Sequence, residues 1–451
     1  MPSGTGGGEV PGRRPARAEI LLVREGPFLT ERGGTAVSLV LSARRPAFAW
    51  IAAIALGLPA RSFGAETYAK PPEGFLARDV LAFEVRERGV GLGGLAPLPD
   101  GRLVLYVEGA LWIEGPSGRT TLATFDPPVF GSFAAVAPGG EAVVFGESTE
   151  WNIYRVPLDG SPMERIDQVR FAFDLAFGPD GRGYMSVLTN EPANEIVLLD
   201  GDATQRNPTV IANIPGYSGP LAFDAEGNLW YGTADYSGDP VRQSLHRFER
   251  AQVEAAVASG PIDFSEGEIV LDGMDGFYNL RWFEGKLYVS DLGYAAGFGA
   301  IRSIDPAKNY AVEPFVAFEK ELSLLSPTFF AFRPGSRPFE AGSGSKGASL
   351  LVGYTDYWET LRVAEVRPEL HFIRGEVNED GVVDISDALA ILGFLFAGGR
   401  EPGDIEAADS NADGEVDLSD AIYVLNYLFL GGPVIPPPYP ERGPAPSPDG
   451  A

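Results

Sequence analysis

The sequence predicts a mainly β protein, built as a radially closed ring of small sheets, with a small helical module near its C-terminal end. Three observations carry this expectation. A strand–turn–strand unit recurs from about Glu66 to Leu370. Its strands read as nearly unbroken apolar runs, such as Leu103-Val104-Leu105-Tyr106-Val107 and Leu350-Leu351-Val352, rather than as alternating ones. Beyond residue 375 a 33-residue duplication shifts the apolar spacing to that of a helix.

Composition bounds the rest. A chain of 451 residues with 45% hydrophobic content can bury a sizeable core, which excludes wholesale disorder. The net charge of −27 excludes nucleic acid or an anionic membrane surface as partner and suits a protein that collects cations. The absence of cysteine removes disulfides, thiolate catalysis and Cys-ligated zinc. With only His246 and His371, a multi-histidine centre is excluded as well.

Residues 1–64 read as a leader. Arg44-Arg45, the apolar run Ala47 to Leu58 and the small residues Ser62 to Ala65 form a basic, apolar and cleavable sequence in that order. A signal peptide around residues 44–65 is therefore expected, delivering the protein to the medium, periplasm or cell surface. The apolar run falls short of the ~20 residues that span a bilayer, so no membrane span is expected in the mature protein. Its distance from Met1 fits translation starting near Val37 or Val40.

Residues 65–370 carry the repeated unit. The clearest copies are LAPLPDGRLVLYVEGALWI, AAVAPGGEAVVFGESTEWNIYRV, DLAFGPDGRGYMSVLTNEPANEIVLL and PLAFDAEGNLWYGTADYSGD. Looser copies begin at Asn279 and Phe329. The turn glycines Gly101, Gly140, Gly181, Gly227, Gly285 and Gly335 stand 39 to 58 residues apart. Short strands bounded by Pro-Asp-Gly-type turns at such a period predict propeller blades, whose sheets are covered on both faces. Six blades are counted, and residues 66–95 and 241–272 could each hide strands of a seventh. Glu249 to Ser259 reads as a short helical insertion.

The unit resembles the NHL and gluconolactonase-like six-bladed propellers. In the latter, acidic and amide side chains from several blades converge on a metal in the central channel. The matching positions here offer Asp174 and Asn279. The loops after each blade's second strand hold a different cluster: Trp151, Tyr236, Asp291, Tyr294, Asp356, Tyr357 and Trp358, beside Glu150, Asn190, Glu191 and Asp235. Aromatic faces beside carboxylates suit a glycan, and packing of the same aromatics between blades is the competing expectation.

The duplication is the most specific feature. EVNEDGVVDISD (Glu376 to Asp387) is answered by DSNADGEVDLSD (Asp409 to Asp420), and 13 of 24 aligned residues are identical across 376–399 and 409–432. Oxygen-bearing side chains stand at positions 1, 3, 5, 9 and 12, with Gly at position 6. Alternate residues of such a loop point inward and the Gly permits the sharp turn, so each loop is expected to hold one Ca2+. The side-chain ligands expected are Glu376, Asn378, Asp380, Asp384 and Asp387, then Asp409, Asn411, Asp413, Asp417 and Asp420. Each loop opens a helix, with Ser386 and Ser419 expected as N-caps and Gly398 and Gly431 as stops.

Residues 371–433 resemble a type I dockerin domain, the paired calcium-loop module by which bacterial extracellular enzymes dock onto cohesins. The resemblance implies the backbone carbonyls of Val382 and Glu415 as the position-7 ligands, and a cohesin-like or other extracellular protein as partner. The chain departs from the family pattern in two places. Glu376 replaces Asp at position 1 of the first loop, and Ile385 and Leu418 replace small hydroxyl residues at position 10. Two short helices bury little core, so calcium is expected to drive folding of the module. The proline-rich 434–451 tail is expected to be extended or disordered, with Pro436 to Tyr439 able to fold back on Phe372.

The expected protein is an exported calcium binder whose propeller recognises a ligand while the module attaches it to a partner. The alternative is a polysaccharide-degrading hydrolase or lyase that uses the module as an assembly tag.

Overall fold

The computed structural model describes residues 67–444, apart from 85–92, 108, 116–117, 191–192, 200–207, 235–242, 292–298, 319–325, 342, 344–346 and 357–359. The expected leader and signal peptide lie outside the described residues.

Six antiparallel sheets follow one another along the chain. Blade 1 contains Gly94–Pro97, Leu103–Val107, Ala110–Gly115 and Gly118–Thr124. Blade 2 runs Gly131–Val136, Ala142–Glu147, Asn152–Pro157 and Glu164–Gln168, and blade 3 Asp174–Phe177, Gly183–Asn190, Ala193–Leu199 and Val210–Ile214. Blade 4 contains Leu221–Phe223, Leu229–Gly232, Gln243–Phe248 and Glu268–Met274, with helix α1 (Arg250–Ser259) between its last two strands. Blade 5 contains Phe277–Phe283, Lys286–Asp291, Ala300–Asp305 and Ala311–Phe318, and blade 6 Ser326–Arg333, Ser349–Asp356 and Thr360–Pro368. The first strands of successive blades touch around the ring, and that of blade 6 touches that of blade 1. The protein is a six-bladed β-propeller.

The two stretches that could have hidden a seventh blade are accounted for. Residues 241–272 complete blade 4 around α1. Phe75–Glu84, from the N-terminal side of the ring, becomes the outer strand of blade 6, pairing from Phe75 opposite Pro368 to Glu84 opposite Thr360 with a register shift between Asp79 and Leu81. Ala69–Lys70 adds a fifth strand to blade 5. The ring is thus closed by pairing of its two chain ends, and buried polar groups reinforce the seam. Arg362 Nη1 meets Asp79 Oδ2 at 2.6 Å, and the Tyr354 hydroxyl donates to Asp79 Oδ1 at 2.7 Å.

The apolar runs fill the wedges between blades, as their lack of alternation requires. Leu95, Leu103, Leu105 and Val107 of blade 1 pack against Phe329, Leu351, Leu361 and Val363 of blade 6. On the other face of blade 1, Val104 and Tyr106 meet Val143 and Phe145 of blade 2. Each fully buried side chain of this kind contributes roughly 1.5–3 kcal/mol.

Five of the six turn glycines have φ between +76° and +89°, the left-handed region that a Cβ disfavours. Gly335 differs: a Cβ there would lie 2.3 Å from the Ala348 backbone nitrogen, so that position needs glycine for close backbone approach.

The C-terminal module contains α2 (Ile385–Ala397), α3 (Ile405–Ala408) and α4 (Leu418–Leu430). Its core is small: Val377, Ala388, Ile391, Ala408, Ala421 and Val424. Gly398 and Gly431 end α2 and α4 in the left-handed conformation, as expected. The N-caps, however, are Asp384 and Asp417 rather than Ser386 and Ser419. The Asp side chains accept from the serine N–H groups, and Asp387 and Asp420 close reciprocal capping boxes.

Of the two alternatives expected for the tail, disorder does not describe its part within the structure, which packs back on the module. Gly443–Pro444 pairs with His371–Phe372, Ile435 is buried, and the Tyr439 hydroxyl donates to that of Tyr427. Arg374, buried beneath it, donates to the Pro437 carbonyl and places its guanidinium over the Phe372 ring. The module meets the propeller through Arg337, in the segment between the first two strands of blade 6, whose guanidinium pairs with Asp404 at 3.0 Å and Glu379 at 3.1 Å.

Candidate metal centre

The two loops share one geometry. Gly381 and Gly414, at position 6, have φ of +85° and +90°. Before them Glu379 and Ala412 are also left-handed, at +68° and +62°. The left-handed residues at positions 4 and 6 curl the backbone of each loop past side chains 1, 3 and 5.

Backbone N–H groups hold those side chains in place. Asn378 Oδ1 accepts from Asp380 N (2.9 Å) and Asp380 Oδ1 from Val382 N (2.9 Å). Asn411 and Asp413 repeat this with Asp413 N (2.8 Å) and Glu415 N (3.0 Å). At position 12, Asp387 Oδ1 accepts from Val377 N and Asn378 N while its Oδ2 accepts from Asp384 N. Asp420 does the same with Ser410, Asn411 and Asp417. One carboxylate thus ties the start of each loop to the start of its helix.

The departure at position 1 is absorbed by one methylene. Glu376 Oε1 accepts from both Asp380 N (2.9 Å) and Gly381 N (3.3 Å). Asp409 divides the equivalent pair between Oδ1 (3.1 Å) and Oδ2 (3.2 Å). It also lies 3.5 Å from Arg374 Nη1, which gives the second loop a cationic neighbour at position 1.

Electrostatics separate the ligand positions into two kinds. Burial pushes the carboxyls of Glu376, Asp387 and Asp420 up, against the pull of their backbone donors. Asp384 and Asp417 are held down by hydrogen bonds from Ser386 and Ser419. Buried carboxylates that resist ionisation are the groups a divalent cation relieves most. Among the described residues, no three His, Cys, Asp or Glu side chains close on one point by themselves. The donors expected of each loop are carboxylates, one amide oxygen and one backbone carbonyl, a set whose chemistry fits Ca2+ and offers nothing to a softer metal.

Residues 374–429 match the family model of the dockerin type I domain. This segment is a dockerin domain. Such domains bind calcium, take cohesin-type partners and occur in extracellular proteins. No curated protein matches the chain. Among solved structures, the propeller is similar to a putative gluconolactonase, at 15% identity over 66% of this chain and 94% of that one, with a TM-score of 0.45. A PQQ-bound aldose sugar dehydrogenase from Streptomyces coelicolor matches at 18% identity over 66% and 100% of the two chains, TM-score 0.42. A Trichoderma reesei carbohydrate-active enzyme of family AA12 matches at 9% identity over 68% and 100%, TM-score 0.47. No helix among the described residues is long and apolar enough to cross a membrane.

The propeller's channel candidates do come together, around a side chain that the sequence reading missed. Asp174 is buried and takes both ends of the Arg281 guanidinium, Oδ2 to Nη1 at 3.0 Å and Oδ1 to Nη2 at 3.3 Å. With its amide turned to satisfy its neighbours, Asn279 also accepts from Arg281 Nη2 (3.1 Å) and donates to the Phe330 carbonyl. A protein cation thus sits between the two. The available signal was strand period: Arg281 stands two residues from Asn279, on the same face.

The aromatic and acidic cluster is only partly visible. Tyr236, Tyr294, Tyr357 and Trp358 lie outside the described residues, and Asp356 ends the second strand of blade 6. Trp151 is left-handed at φ +64°, and its ring lies 5.8 Å from that of Phe171 and 5.3 Å from the Arg170 guanidinium. Asp291 is buried against Arg302, with Oδ2 2.5 Å from Nε.

Proposed function

We propose that this protein is an exported, calcium-dependent attachment module joined to a ligand-binding propeller, and that its partner is a cohesin-type domain. One Ca2+ belongs in each loop. The first is held by Glu376, Asn378, Asp380, the Val382 carbonyl, Asp384 and Asp387. The second is held by Asp409, Asn411, Asp413, the Glu415 carbonyl, Asp417 and Asp420. Bound calcium supplies the positive charge that lets six oxygens crowd together, and the chain's own turns and caps orient them.

The observation that carries the docking role is a repeated apolar stripe. Ile385, Leu389 and Phe396 on α2 are exposed, and so are Leu418, Ile422 and Phe429, each 33 residues later on α4. Large apolar side chains exposed at matching positions of both repeats point to a surface awaiting a partner. The apolar position-10 residues that depart from the dockerin pattern belong to this stripe, so the partner is expected to meet them with apolar side chains. The propeller is the cargo. The engagement of Asp174 by Arg281 favours ligand recognition over metal-dependent catalysis in its channel, and Trp151 remains a candidate contact on the loop face.

The test is binding of the calcium-loaded full chain to immobilised type I cohesins by surface plasmon resonance. Binding that vanishes with EGTA, and with the double variant Ile385→Asp, Leu418→Asp, is expected. Undiminished binding by that variant, or none to any cohesin, would overturn the assignment.

A further inference from the structure

Blade 6 contains a cavity of about 380 Å³ lined by Arg78, Arg333, Arg367, Glu365, Ser336 and Ser349. The volume lies within the range of small-molecule sites. Strand register gathers these groups on one face: Arg333 stands opposite Ser349, Arg78 opposite Glu365, and Arg367 two residues from Glu365. The wall is rigid. Gly335 packs backbone to backbone against Ala348, and Arg337, two residues on, is pinned by Asp404 of the dockerin domain.

The charges do not cancel. Glu365 is the one carboxylate, and it is fully engaged: Oε2 accepts from Arg78 Nη2 (2.9 Å), while Oε1 accepts from Arg333 Nη1 (2.8 Å) and Ser349 Oγ (3.1 Å). Arg367 has no ion-pair partner among the described residues, and the buried Nε of Arg333 has no hydrogen-bond acceptor. Three guanidiniums face one carboxylate in a chain whose net charge is −27. A concave, positively charged spot whose Arg367 has no ion-pair partner among the described residues suits an anion, and guanidinium forks match the oxygens of carboxylates and of tetrahedral oxyanions.

We propose that this cavity binds a small anionic sugar, of monosaccharide size, through its carboxylate or sulfate. Arg367 supplies the principal contact, Arg333 the second, and Ser336 and Ser349 line the part that faces the sugar hydroxyls. The site is independent of the docking surface and of the reading of the calcium loops.

The experiment is isothermal titration of the calcium-loaded full chain with glucuronate, glucose 6-sulfate, glucose and inorganic sulfate. A charged sugar binds, and glucose at the same concentration does not. Arg367→Ala weakens binding about tenfold or more, the effect of one charge-assisted contact, and the shorter, uncharged but polar Arg367→Gln does the same. Glu365→Gln strengthens it, because two guanidiniums lose their internal partner. The proposal fails if neither charged sugar binds, if glucose binds equally well, if inorganic sulfate matches the sugars, or if both Arg367 variants that melt like wild type bind normally.

Discussion

Asp420→Ala is the sharpest perturbation of the calcium module. The side chain is fully buried and accepts three backbone N–H groups, from Ser410 at 2.7 Å, Asn411 at 3.3 Å and Asp417 at 2.8 Å. Truncation strands all three donors. At about 1 kcal/mol each, the low end for buried unsatisfied groups, the loss is roughly 3 kcal/mol. The bond from Asp417 N is also the reciprocal half of the capping box, so the loss of the box is already included. A total of about 3 kcal/mol approaches everything that a core of this size provides, and a proposed calcium ligand disappears as well. The full-length variant should therefore bind one calcium ion fewer by isothermal titration and lose the α4 contribution to its far-ultraviolet circular dichroism. Asp420→Asn keeps an acceptor oxygen but not the charge, so it should keep the helix and bind calcium more weakly. If Asp420→Ala binds two ions at wild-type affinity with unchanged helicity, the role assigned to position 12 is wrong.

Three further outcomes follow from the same structure. Glu376→Asp restores the side-chain length of the second loop and should tighten the first site, read as a rise in the weaker of the two affinities in a calcium titration. Arg281→Ala leaves the buried Asp174 carboxylate without its counter-charge and should destabilise the propeller by roughly 3 kcal/mol, read in a chemical melt. His246 is buried against Phe264, with Nε2 2.9 Å from Ser244 Oγ, and burial holds its pKa below 6.5. The unfolded chain then binds the proton more readily, so this contribution to stability is intact above pH 6.5 and is lost as pH falls from 6.5 through the folded value, at up to about 1.4 kcal/mol per pH unit. The stability difference between wild type and His246→Gln should be constant above pH 6.5 and shift against wild type as pH falls below it.

What was legible in the sequence was local. Turn glycines announce themselves because a left-handed φ excludes most side chains, and five of six held that conformation. The calcium loops were legible because alternation around one Gly is a short-range pattern. The closure of blade 6 was not, since Phe75–Glu84 pairs with residues more than 275 positions away and nothing in its own composition names that partner. The same holds for Arg281, whose meaning depends on Asp174 arriving from another blade. Ser386 and Asp384 both suit an N-cap, and only the backbone path decides between them. The tail's prolines suit an extended chain, and what anchors it, buried Ile435 and the Tyr427–Tyr439 contact, is a tertiary gain that composition does not reveal.

The proposed function requires calcium to hold the dockerin domain together while the propeller stands without it. Hydrogen exchange of the full-length protein, read by mass spectrometry with calcium and with EGTA, tests this most directly. On chelation α2 and α4 should lose protection while the inner strands of all six blades keep theirs. Unchanged protection in α2 and α4, or a loss that spreads evenly through the propeller, would contradict it.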